Sequence, residues 1–566
     1  MLNDGIDIDI IDGYDDETME GIPLGNDNFK EIRENGDYFV DKTGFIMEIV
    51  AKRSTKAFLF TRPRRFGKSL NLNMLNAFFN IEYRDKDPGW FNGLKVESDP
   101  NSMALKNSYP VILIDLKGLN TDSMEEFLNS LAAKIKVVFS SKKYLLESDL
   151  DDVDLMDFNR IRRREGNRSE LEMSLKLLTD LLYEYHGKKV IVLIDEYDNA
   201  VNSSCGKDTH SDILSFMTNL LGNVLKGNES LQFGVVTGVM QIAKESLFSG
   251  LNNLYVNSVF SRKFEDRFGF TENEVSDMLS HYEHLEKLEE VREWYDGYRF
   301  GDADIYNPWS ILSYLDNDFR AGTYWVNEGN PEIILESVRL NGPRAVRMLS
   351  DLYNDGIIKA RINESMIFTD LNSMEGLLTL LTGSGYLKAV PAGEDLWELM
   401  LVNKEVKRGL LNQLATYQCK DLSMNEISRA LLEGYPEVVR AELMKSLGST
   451  VDSKLTRDER YYQAFMLGLL NCLTPQYYIR SEYRGGNGYA DIAIIPRDGK
   501  GTSAVVELKD GDLSTGDDTM QNMAEDALRQ IKSLRYYSDL TGQVQLYGIA
   551  TRQTDVFVDH EIVQAA

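Results

Sequence analysis

One stretch of this sequence, RPRRFGKS at residues 62–69, has the residue types of a loop that binds phosphate. A glycine lets the backbone approach an anion closely, a lysine reaches the outer phosphates, and a hydroxyl can ligate Mg²⁺. The stretch follows an apolar run and precedes a helical pattern, which is the strand, loop and helix order that such a site requires. We therefore expect ATP and Mg²⁺ to bind here through Arg64, Arg65, Phe66, Gly67, Lys68 and Ser69.

The residue at position 62 departs from the usual phosphate-loop pattern, which begins with glycine where this chain has Arg62. The first turn of the loop must then be built differently, and the restricted φ angle of Pro63 is one way to build it. The alternative is a Gly-Lys-Ser triplet that follows an apolar run by chance. The strand and helix patterns on either side disfavour that alternative.

A second stretch, VIVLIDE at residues 190–196, predicts the partner of that loop. An aspartate at the end of a buried strand can hold Mg²⁺, and an adjacent glutamate can orient and deprotonate the attacking water. These roles fall to Asp195 and Glu196. The alternative is a solvated acidic turn, because tyrosine, aspartate and asparagine follow. Two carboxylates directly after five apolar residues, downstream of a phosphate loop, favour the catalytic interpretation.

Two further contributions to the nucleotide site stay open. Thr237 ends another strand pattern and could either sense the γ-phosphate or merely cap the strand. Charge on the transferred phosphoryl group also invites an arginine, for which Arg64, Arg65 and Arg262 are candidates. A neighbouring copy of the chain could supply this arginine instead, so a homo-oligomer is a further expectation.

A third set of residues has the spacing of a metal-dependent phosphodiesterase, which needs carboxylates to hold a metal ion near the scissile phosphate. Asp491 begins one apolar run. Glu507 and Lys509 end the next and share a strand face, because they are two residues apart. Asp491 and Glu507 are expected to bind the metal and Lys509 to assist the attacking water, with Glu482 and Gln530 as further candidates. The alternative is a solvated sheet edge that ends in Glu-Leu-Lys.

The elements that must position these residues alternate between apolar β-rich runs and helical patterns up to about residue 270. This alternation predicts an α/β fold with a parallel sheet that is covered on both faces. A mostly helical region follows, in which residues 374–402 predict a winged-helix-like unit, and a second α/β unit ends the chain. The expected domains are an acidic flexible tail at 1–20, an ATP-binding domain at 21–270, a helical lid at 271–450 and a C-terminal domain at 451–566.

The bulk composition narrows the class of protein. A net charge of -28 argues against a protein that coats nucleic acid, although it leaves a nuclease open. Only three, widely spaced cysteines indicate a reducing compartment without a disulfide framework. No apolar run reaches the roughly 20 residues needed to cross a bilayer, and the acidic N-terminus is unlike a secretory signal. We expect a cytoplasmic protein with no membrane partner.

Several strings resemble the predicted AAA-ATPase-like family of bacteria and archaea: YFVDKT at 38–43, TRPRRFGKS at 61–69, TGVMQIA at 237–243 and LFSGLNN at 247–253. The C-terminal unit resembles the PD-(D/E)xK nuclease-like domain that is fused to that family, through Glu482, Asp491, Glu507, Lys509 and Gln530. The resemblance implies a P-loop NTPase sheet, ATP binding and a restriction-endonuclease-like C-terminal fold. Arg62 agrees with the family pattern, whereas Tyr489 stands where the nuclease motif carries arginine.

The function expected from these patterns is a Mg²⁺-dependent ATPase coupled to a nuclease-like domain that acts on DNA, in mobile-element defence or repair. One alternative is a nucleotide-gated switch or scaffold whose C-terminal domain binds nucleic acid or protein without cutting it. Another is a metabolic kinase, which shares the phosphate loop but leaves the C-terminal pattern unexplained.

Overall fold

The computed structural model describes residues 20–52, 54–240, 254–326, 332–341, 345, 348–349, 352, 356–362, 372–393, 396–409, 424–450, 459–470, 477–497, 499 and 501–565. Contacts divide the chain into two units, Met1–Val406 and Lys407–Ala566, and each is described by itself. The expected acidic tail up to residue 19 and the string at 247–253 lie outside the described residues. Among the helices of the described part, none is both long and apolar enough to cross a membrane.

A five-stranded parallel sheet forms the centre of the N-terminal unit. Its strands are β1 Ala57–Thr61, β2 Val111–Asp115, β3 Val190–Asp195, β4 Leu231–Gly238 and β5 Leu254–Asn257, in the order β2-β3-β4-β1-β5. β1 and β3 are buried along their whole length, as their uninterrupted apolar sequences predict for strands covered on both faces. The expected parallel sheet is confirmed. β4 lies between β1, which leads into the phosphate loop, and β3, which ends in Asp195.

The helices of this part of the chain include α3, which begins at Lys68 and places the phosphate loop at a helix N-terminus. The apolar faces of α5, α7 and α9 share one core with the strands. The helices are α1 Phe29–Asn35, α2 Gly44–Ala51, α3 Lys68–Phe79, α4 Pro100–Met103, α5 Met124–Ser141, α6 Asp152–Arg162, α7 Arg168–His186, α8 Asn199–Ser203 and α9 His210–Leu225.

The middle region is mostly helical, as the sequence predicts. Its elements are α10 Glu272–His281, α11 Leu288–Tyr295, β6 Tyr298–Phe300, β7 Ala303–Ile305, α12 Pro308–Asp316, α13 Glu332–Asn341, β8 Ile358–Ala360, α14 Met374–Gly383, β9 Leu387–Gly393 and β10 Leu396–Leu401. β10 pairs antiparallel with both β8 and β9. A helix followed by such a hairpin is the arrangement expected of a winged-helix-like unit.

The C-terminal unit is built on a five-stranded mixed sheet whose strands follow their order in the sequence. The strands are β11 Tyr477–Gly485, β12 Gly488–Pro496, β13 Ser503–Asp510, β14 Gly542–Arg552 and β15 Asp555–Ala565. β13 and β14 are parallel and are joined through the helix α18 Asp517–Leu534, whereas the other neighbours are antiparallel. These strands and α18 form the second α/β unit that the sequence analysis predicted at the end of the chain.

Three more helices, α15 Met424–Glu433, α16 Pro436–Thr450 and α17 Glu459–Leu470, cover one face of this sheet. Val506 faces them, whereas its neighbour Val505 faces α18 on the other side. The sequence-based boundary at residue 450 assigns α15 and α16 to the middle region, but the structure packs both on the C-terminal sheet. An amphipathic helix shows the same apolar stripe whichever sheet it covers, so the sequence did not reveal this.

Candidate active sites

The phosphate loop connects the end of β1 to the start of α3. Gly67 precedes α3 with φ of 77°, a left-handed conformation that a side chain would strain. Lys68 Nζ donates hydrogen bonds to the carbonyl oxygens of Arg62 at 3.0 Å and Pro63 at 2.8 Å. The loop therefore holds its own ammonium group next to the helix N-terminus, where backbone N–H groups and the helix dipole favour an anion.

Arg62, which replaces the usual first glycine, is fully buried. Its guanidinium donates at 2.6–3.3 Å to oxygens of Thr61, Asn257 and Phe264. The rings of Phe268 and Phe300 lie 5.0 Å from it. Burial lowers the pKa of Arg62 to about 9. The side chain thus anchors the loop to β5 and the segment that follows it, which explains how a bulky residue fits this position.

The Asp195 carboxylate receives hydrogen bonds from a hydroxyl of the phosphate loop and from a hydroxyl of β4. Ser69 Oγ donates to Asp195 Oδ2 at 2.5 Å, and Thr237 Oγ1 donates a shorter bond to Oδ1. Burial lowers the pKa of Lys68, and the charges of Asp195 and Glu196 oppose that shift. The Asp195 carboxylate therefore interacts electrostatically with the loop lysine. A serine hydroxyl and an aspartate in contact are the two groups that hold Mg²⁺ in phosphate-loop enzymes, so the residues present fit this ion.

Glu196 follows Asp195 in an unusual backbone conformation, with φ of 50°. Its side chain is half-buried, and Oε2 accepts a hydrogen bond from Asn199 Nδ2 at 3.2 Å. Burial raises the pKa of Glu196, Lys68 opposes the shift, and Asp195 adds to it. A carboxylate with a raised pKa beside a candidate metal ligand can take a proton from water.

The turn after Glu196 is not a solvated acidic turn, which was the alternative interpretation of this stretch. Tyr197 and Asp198 are buried. Asp198 Oδ2 accepts hydrogen bonds from the backbone N–H groups of Val239 at 3.0 Å and Met240 at 2.9 Å, and Tyr197 Oη donates to the Met240 carbonyl at 2.6 Å. The turn therefore fixes the chain that follows Thr237, and burial raises the pKa of Asp198.

The three loop residues before Gly67 face aromatic side chains of the middle region. Trp325 Nε1 donates to the Arg64 carbonyl at 3.0 Å, and the Arg65 guanidinium lies 4.0 Å from the centre of the Trp309 ring. Phe66 is fully buried among aromatic rings, so it anchors the loop rather than lining its phosphate side. The remaining arginine candidate, Arg262, has a side chain that is 79% exposed and pairs with Asp302 at 2.9 Å.

Two acidic residues that the sequence analysis did not single out lie near Asp195. Asp115 ends β2 and pairs in register with Asp195 on β3. Asp27 precedes α1, and its carbonyl accepts a hydrogen bond from Asn73 of α3 at 2.9 Å. Partial burial raises the pKa of Asp27, and repulsion by Asp195 adds to the shift. Asp115 carried the same signal as Asp195, an aspartate after an apolar run, whereas Asp27 follows no pattern.

In the C-terminal unit, the antiparallel pairing of β12 and β13 brings Asp491 and Glu507 together, as the spacing predicted. Asp491 Oδ2 accepts a hydrogen bond from the Leu508 backbone N–H at 2.7 Å. Glu507 Oε1 accepts one from Lys509 Nζ at 3.2 Å and a shorter one from Gln530 Nε2 on α18. Of the five side chains that the sequence placed in this site, those of Asp491, Glu507, Lys509 and Gln530 therefore lie close together, whereas the fifth, Glu482, is exposed.

The electrostatics of this cluster fit a divalent cation. Burial raises the pKa of Glu507 to about 7, and repulsion by Asp491 adds to the shift. Within the described residues, the buried Glu507 Oε2 has no hydrogen-bond partner. Burial also raises the pKa of Asp491, and the exposed Glu482 contributes further repulsion. An unsatisfied buried carboxylate oxygen beside a second carboxylate is costly unless a cation binds.

The described residues contain no group of three or more His, Cys, Asp or Glu side chains arranged to hold a metal ion. Each candidate metal site therefore depends on one or two carboxylates, completed by a hydroxyl or by water. Mg²⁺ suits such sites, because it usually keeps several water ligands and binds through one or two protein carboxylates.

Comparison with known proteins gives two family matches, one in each unit. Residues 23–248 match the family described as "Predicted AAA-ATPase", and residues 457–561 match the "PD-(D/E)XK nuclease superfamily". The chain is therefore similar to a predicted AAA-ATPase in its N-terminal part and to the PD-(D/E)XK nuclease superfamily in its C-terminal part. A curated relative from Azotobacter chroococcum mcd 1, described as "Uncharacterized protein in vnfD 5'region", is 26% identical over 478 residues, which are 83% of this chain and 81% of the relative.

The two matched ranges contain the two candidate sites. The AAA-ATPase-like domain includes Lys68, Asp195 and Thr237, and the nuclease-like domain includes Asp491 and Glu507. The expected resemblance to these two families is thus confirmed. The match to the nuclease superfamily begins at residue 457, after α15 and α16, although both helices pack on the same sheet.

Proposed function

We propose that this chain is a Mg²⁺-dependent ATPase whose C-terminal domain hydrolyses DNA phosphodiester bonds. The observation that carries the proposal is the position of Asp195, which accepts hydrogen bonds from Ser69 and Thr237 at the start of α3 and attracts the charge of Lys68. This is the set of groups that binding and hydrolysis of a nucleoside triphosphate requires. The two matched families support the same pair of activities.

In the ATPase-like domain, Lys68 would exchange the carbonyl oxygens of Arg62 and Pro63 for oxygens of the outer phosphates. Ser69 and Asp195 would hold Mg²⁺, which reduces the charge on the phosphates when it is bound. Glu196 would orient the attacking water and accept its proton, a role that its raised pKa supports. Thr237 would keep the Asp195 carboxylate in place.

In the nuclease-like domain, Asp491 and Glu507 would hold the metal ion, which stabilises the negative charge that develops on the cleaved phosphate. Lys509 and Gln530 share one oxygen of Glu507, so they fix the orientation of that carboxylate. Lys509 would also orient the attacking water. Glu507 must be ionised to bind the cation, and its pKa of about 7 predicts weaker activity in acid.

Purified full-length protein tests both activities in one preparation. We expect Mg²⁺-dependent release of phosphate from ATP that is lost in Lys68→Ala, and cleavage of plasmid DNA that is lost in Asp491→Ala. Each variant serves as the control for the other, because Asp491→Ala should keep its ATP turnover. Turnover that survives Lys68→Ala, or cleavage that survives Asp491→Ala, would reject the corresponding assignment.

A nucleotide-gated switch is the second candidate function, and the net charge of -28 favours it, because DNA is repelled by a strongly acidic protein. In that case ATP controls association, and the C-terminal domain binds without cutting. Plasmid DNA that stays intact with Mg²⁺ or Mn²⁺, both with and without ATP, would favour the switch. A mass in solution that changes with a non-hydrolysable nucleotide would support ATP-controlled assembly, in which a neighbouring copy supplies the arginine.

A further inference from the structure

The segment that follows β2 carries a lysine next to the candidate ATPase site. Asp115 at the end of β2 pairs in register with Asp195, and the Leu116 backbone N–H donates to the Asp195 carbonyl at 3.0 Å. Lys117 comes next, and its own N–H donates to Asp115 Oδ1 at 2.7 Å. Neighbouring strands lie about 4.8 Å apart, and the long side chain of a lysine can cross that spacing. Lys117 is therefore within reach of the acidic end of β3.

An asparagine ties this segment to the candidate catalytic base. Asn199 Oδ1 accepts a hydrogen bond from the Gly118 backbone N–H at 3.1 Å, and Asn199 Nδ2 donates one to Glu196 Oε2 at 3.2 Å. The residues before and after Lys117 thus both bond to the end of β3 or to the turn that follows it. The backbone of Lys117 is held in place, whereas its exposed, flexible side chain can turn toward a ligand.

The charge of Lys117 acts on carboxylates on two sides of the site. Burial raises the pKa values of both Asp27 and Glu196, and Lys117 opposes both shifts. Asp27 lies on the side of α3, where its carbonyl accepts a hydrogen bond from Asn73, whereas Glu196 follows β3. The ammonium group of Lys117 therefore lies close to the nucleotide site.

Lys117 is also a cation without a carboxylate partner. In the part of the chain that the structure describes, it forms no ion pair. By contrast, Lys134 on α5 pairs with Asp115 at 3.9 Å. A cation that lies near two carboxylates and pairs with neither can attract an anion from outside the chain. The outer phosphate of ATP is the anion that the phosphate loop would bring to this place.

The other cations considered for the outer phosphate come from elsewhere. Two of the three candidate arginines have partners, one against the Trp309 ring and the other in an ion pair with Asp302. The third, Arg64, belongs to the phosphate loop, and its charge acts on Lys68. In the sheet order β2-β3-β4-β1-β5, β2 lies beyond β3 from the loop. Lys117 therefore adds a positive charge on the side where the loop has none.

We propose that the ammonium group of Lys117 contacts the γ-phosphate of bound ATP and stabilises the charge that develops there during hydrolysis. The inference rests on the proposed function, because it adds a catalytic residue to the ATPase-like site. The oxygen of water bonds to the γ-phosphorus, the bond to the β–γ bridging oxygen breaks, ADP leaves with that electron pair, and Glu196 takes the proton. Lys117 keeps its proton throughout, so a charge from the same chain takes the place of an arginine from a neighbouring copy.

Steady-state hydrolysis of Mg²⁺–ATP by the full-length chain tests the contact. We expect Lys117→Ala to lower kcat about 100-fold and to change KM less than about threefold, because the charge acts mainly in the transition state. Lys117→Arg keeps the charge and should retain most of the lost activity. Lys136→Ala, at an exposed position on α5, is the matched control and should turn over like the wild type. An unchanged kcat in Lys117→Ala would overturn the inference.

Binding of ADP with aluminium fluoride, which mimics the phosphoryl group during transfer, distinguishes this contact from a role in folding. The wild type should bind fluorescent ADP more tightly once aluminium fluoride and Mg²⁺ are added. Lys117→Ala should lose most of that increase in affinity and still bind ADP alone like the wild type. The same increase in both proteins would contradict a contact between Lys117 and the γ-phosphate.

Two outcomes separate this inference from the proposed function. If the wild type binds ADP with aluminium fluoride but releases no phosphate from ATP, the hydrolytic function fails, and a smaller increase in affinity in Lys117→Ala still supports the contact. If the wild type hydrolyses ATP, its activity per chain rises with protein concentration and Lys117→Ala is unimpaired, a neighbouring copy supplies the charge. The inference then fails, and the hydrolytic function stands.

Discussion

The hydroxyl of Ser69 donates a 2.5 Å hydrogen bond to Oδ2 of Asp195, although 126 residues separate the two. The bond joins the N-terminus of α3 to the end of β3, and Thr237 holds the other carboxylate oxygen from β4 between them. Three segments that are distant in the sequence therefore build one site at the carboxyl ends of the central strands of the parallel sheet. Because Asp195 is buried and bonded on both oxygens, its carboxylate is held in a single position.

Thr237→Val removes one of these two hydroxyl donors and leaves a buried carboxylate oxygen unsatisfied. Such a loss costs about 1–3 kcal/mol, so we expect kcat for ATP hydrolysis to fall about tenfold while KM changes little. Steady-state kinetics on the full-length protein measures both constants. Thr218→Val on α9 is the matched control. An unchanged kcat would contradict this role and would indicate that Thr237 only caps its strand.

Arg62→Met tests the structural role of the buried arginine. The substitution keeps most of the side-chain volume but leaves the carbonyl oxygens of Thr61, Asn257 and Phe264 without their donor. We expect the free energy of unfolding of the N-terminal unit to decrease by about 3 kcal/mol in urea titrations. Arg163→Ala, at an exposed position after α6, should change it by less than about 0.5 kcal/mol. Equal stability of Arg62→Met and the wild type would contradict the anchoring role.

Trp325→Phe removes the hydrogen bond that the middle region donates to the phosphate loop at the Arg64 carbonyl. A loop that loses this contact samples more conformations, so ATP should bind about fivefold more weakly, as expected for the loss of about 1 kcal/mol. Titration with a fluorescent ATP analogue measures the change. Trp294→Phe on α11 is the control and should leave the affinity for ATP unaltered. If Trp325→Phe binds ATP as tightly as Trp294→Phe does, the hydrogen bond to the Arg64 carbonyl has no role in ATP binding.

Glu507 links stability to pH in the C-terminal unit. Its pKa is about 7 in the folded protein and 4.5 for an ordinary glutamate, so the folded state binds the proton more tightly between these values. The contribution of Glu507 to the free energy of unfolding is therefore fully present below pH 4.5 and is lost as the pH rises through 7. Glu507→Gln removes this dependence, and we expect it to be more stable than the wild type at pH 8 by about 2 kcal/mol.

Urea unfolding in EDTA at pH 5 and pH 8 gives the difference between the two proteins. Glu525→Gln, at an exposed position on α18, is the control and should follow the wild type at both pH values. A difference between Glu507→Gln and the wild type that stays constant with pH would show that Glu507 keeps an ordinary pKa.

The sequence predicted the elements that depend on local patterns. β1 and β3 coincide with the apolar runs that precede the candidate residues, because such continuous runs are typical of strands covered on both faces. The nuclease-like cluster was predictable for the same reason, since strand alternation places Glu507 and Lys509 on one face. In both domains the residues at the ends of apolar strands meet as expected.

Contacts that depend on tertiary packing were not predictable. Nothing in the sequence shows that Arg62 turns toward Asn257, that Trp325 reaches the Arg64 carbonyl, or that Asp27 approaches Asp195. Each partner is far away along the chain, and its residue type has no periodicity to follow. The sequence also assigned α15 and α16 to the middle region instead of the C-terminal unit, because the apolar face of a helix does not indicate which sheet it packs against.

Glu196→Gln gives the most direct test of the central claim, that the acidic end of β3 serves hydrolysis of ATP held by Lys68. The measurement is the rate of phosphate release from Mg²⁺–ATP by wild type and variant, with ATP affinity determined on the same preparations. We predict turnover by the wild type, a loss of about 100-fold or more in the variant, and similar ATP affinity in both, because only proton transfer is removed. Equal turnover in the two proteins, or a wild type that does not bind ATP, would contradict the account.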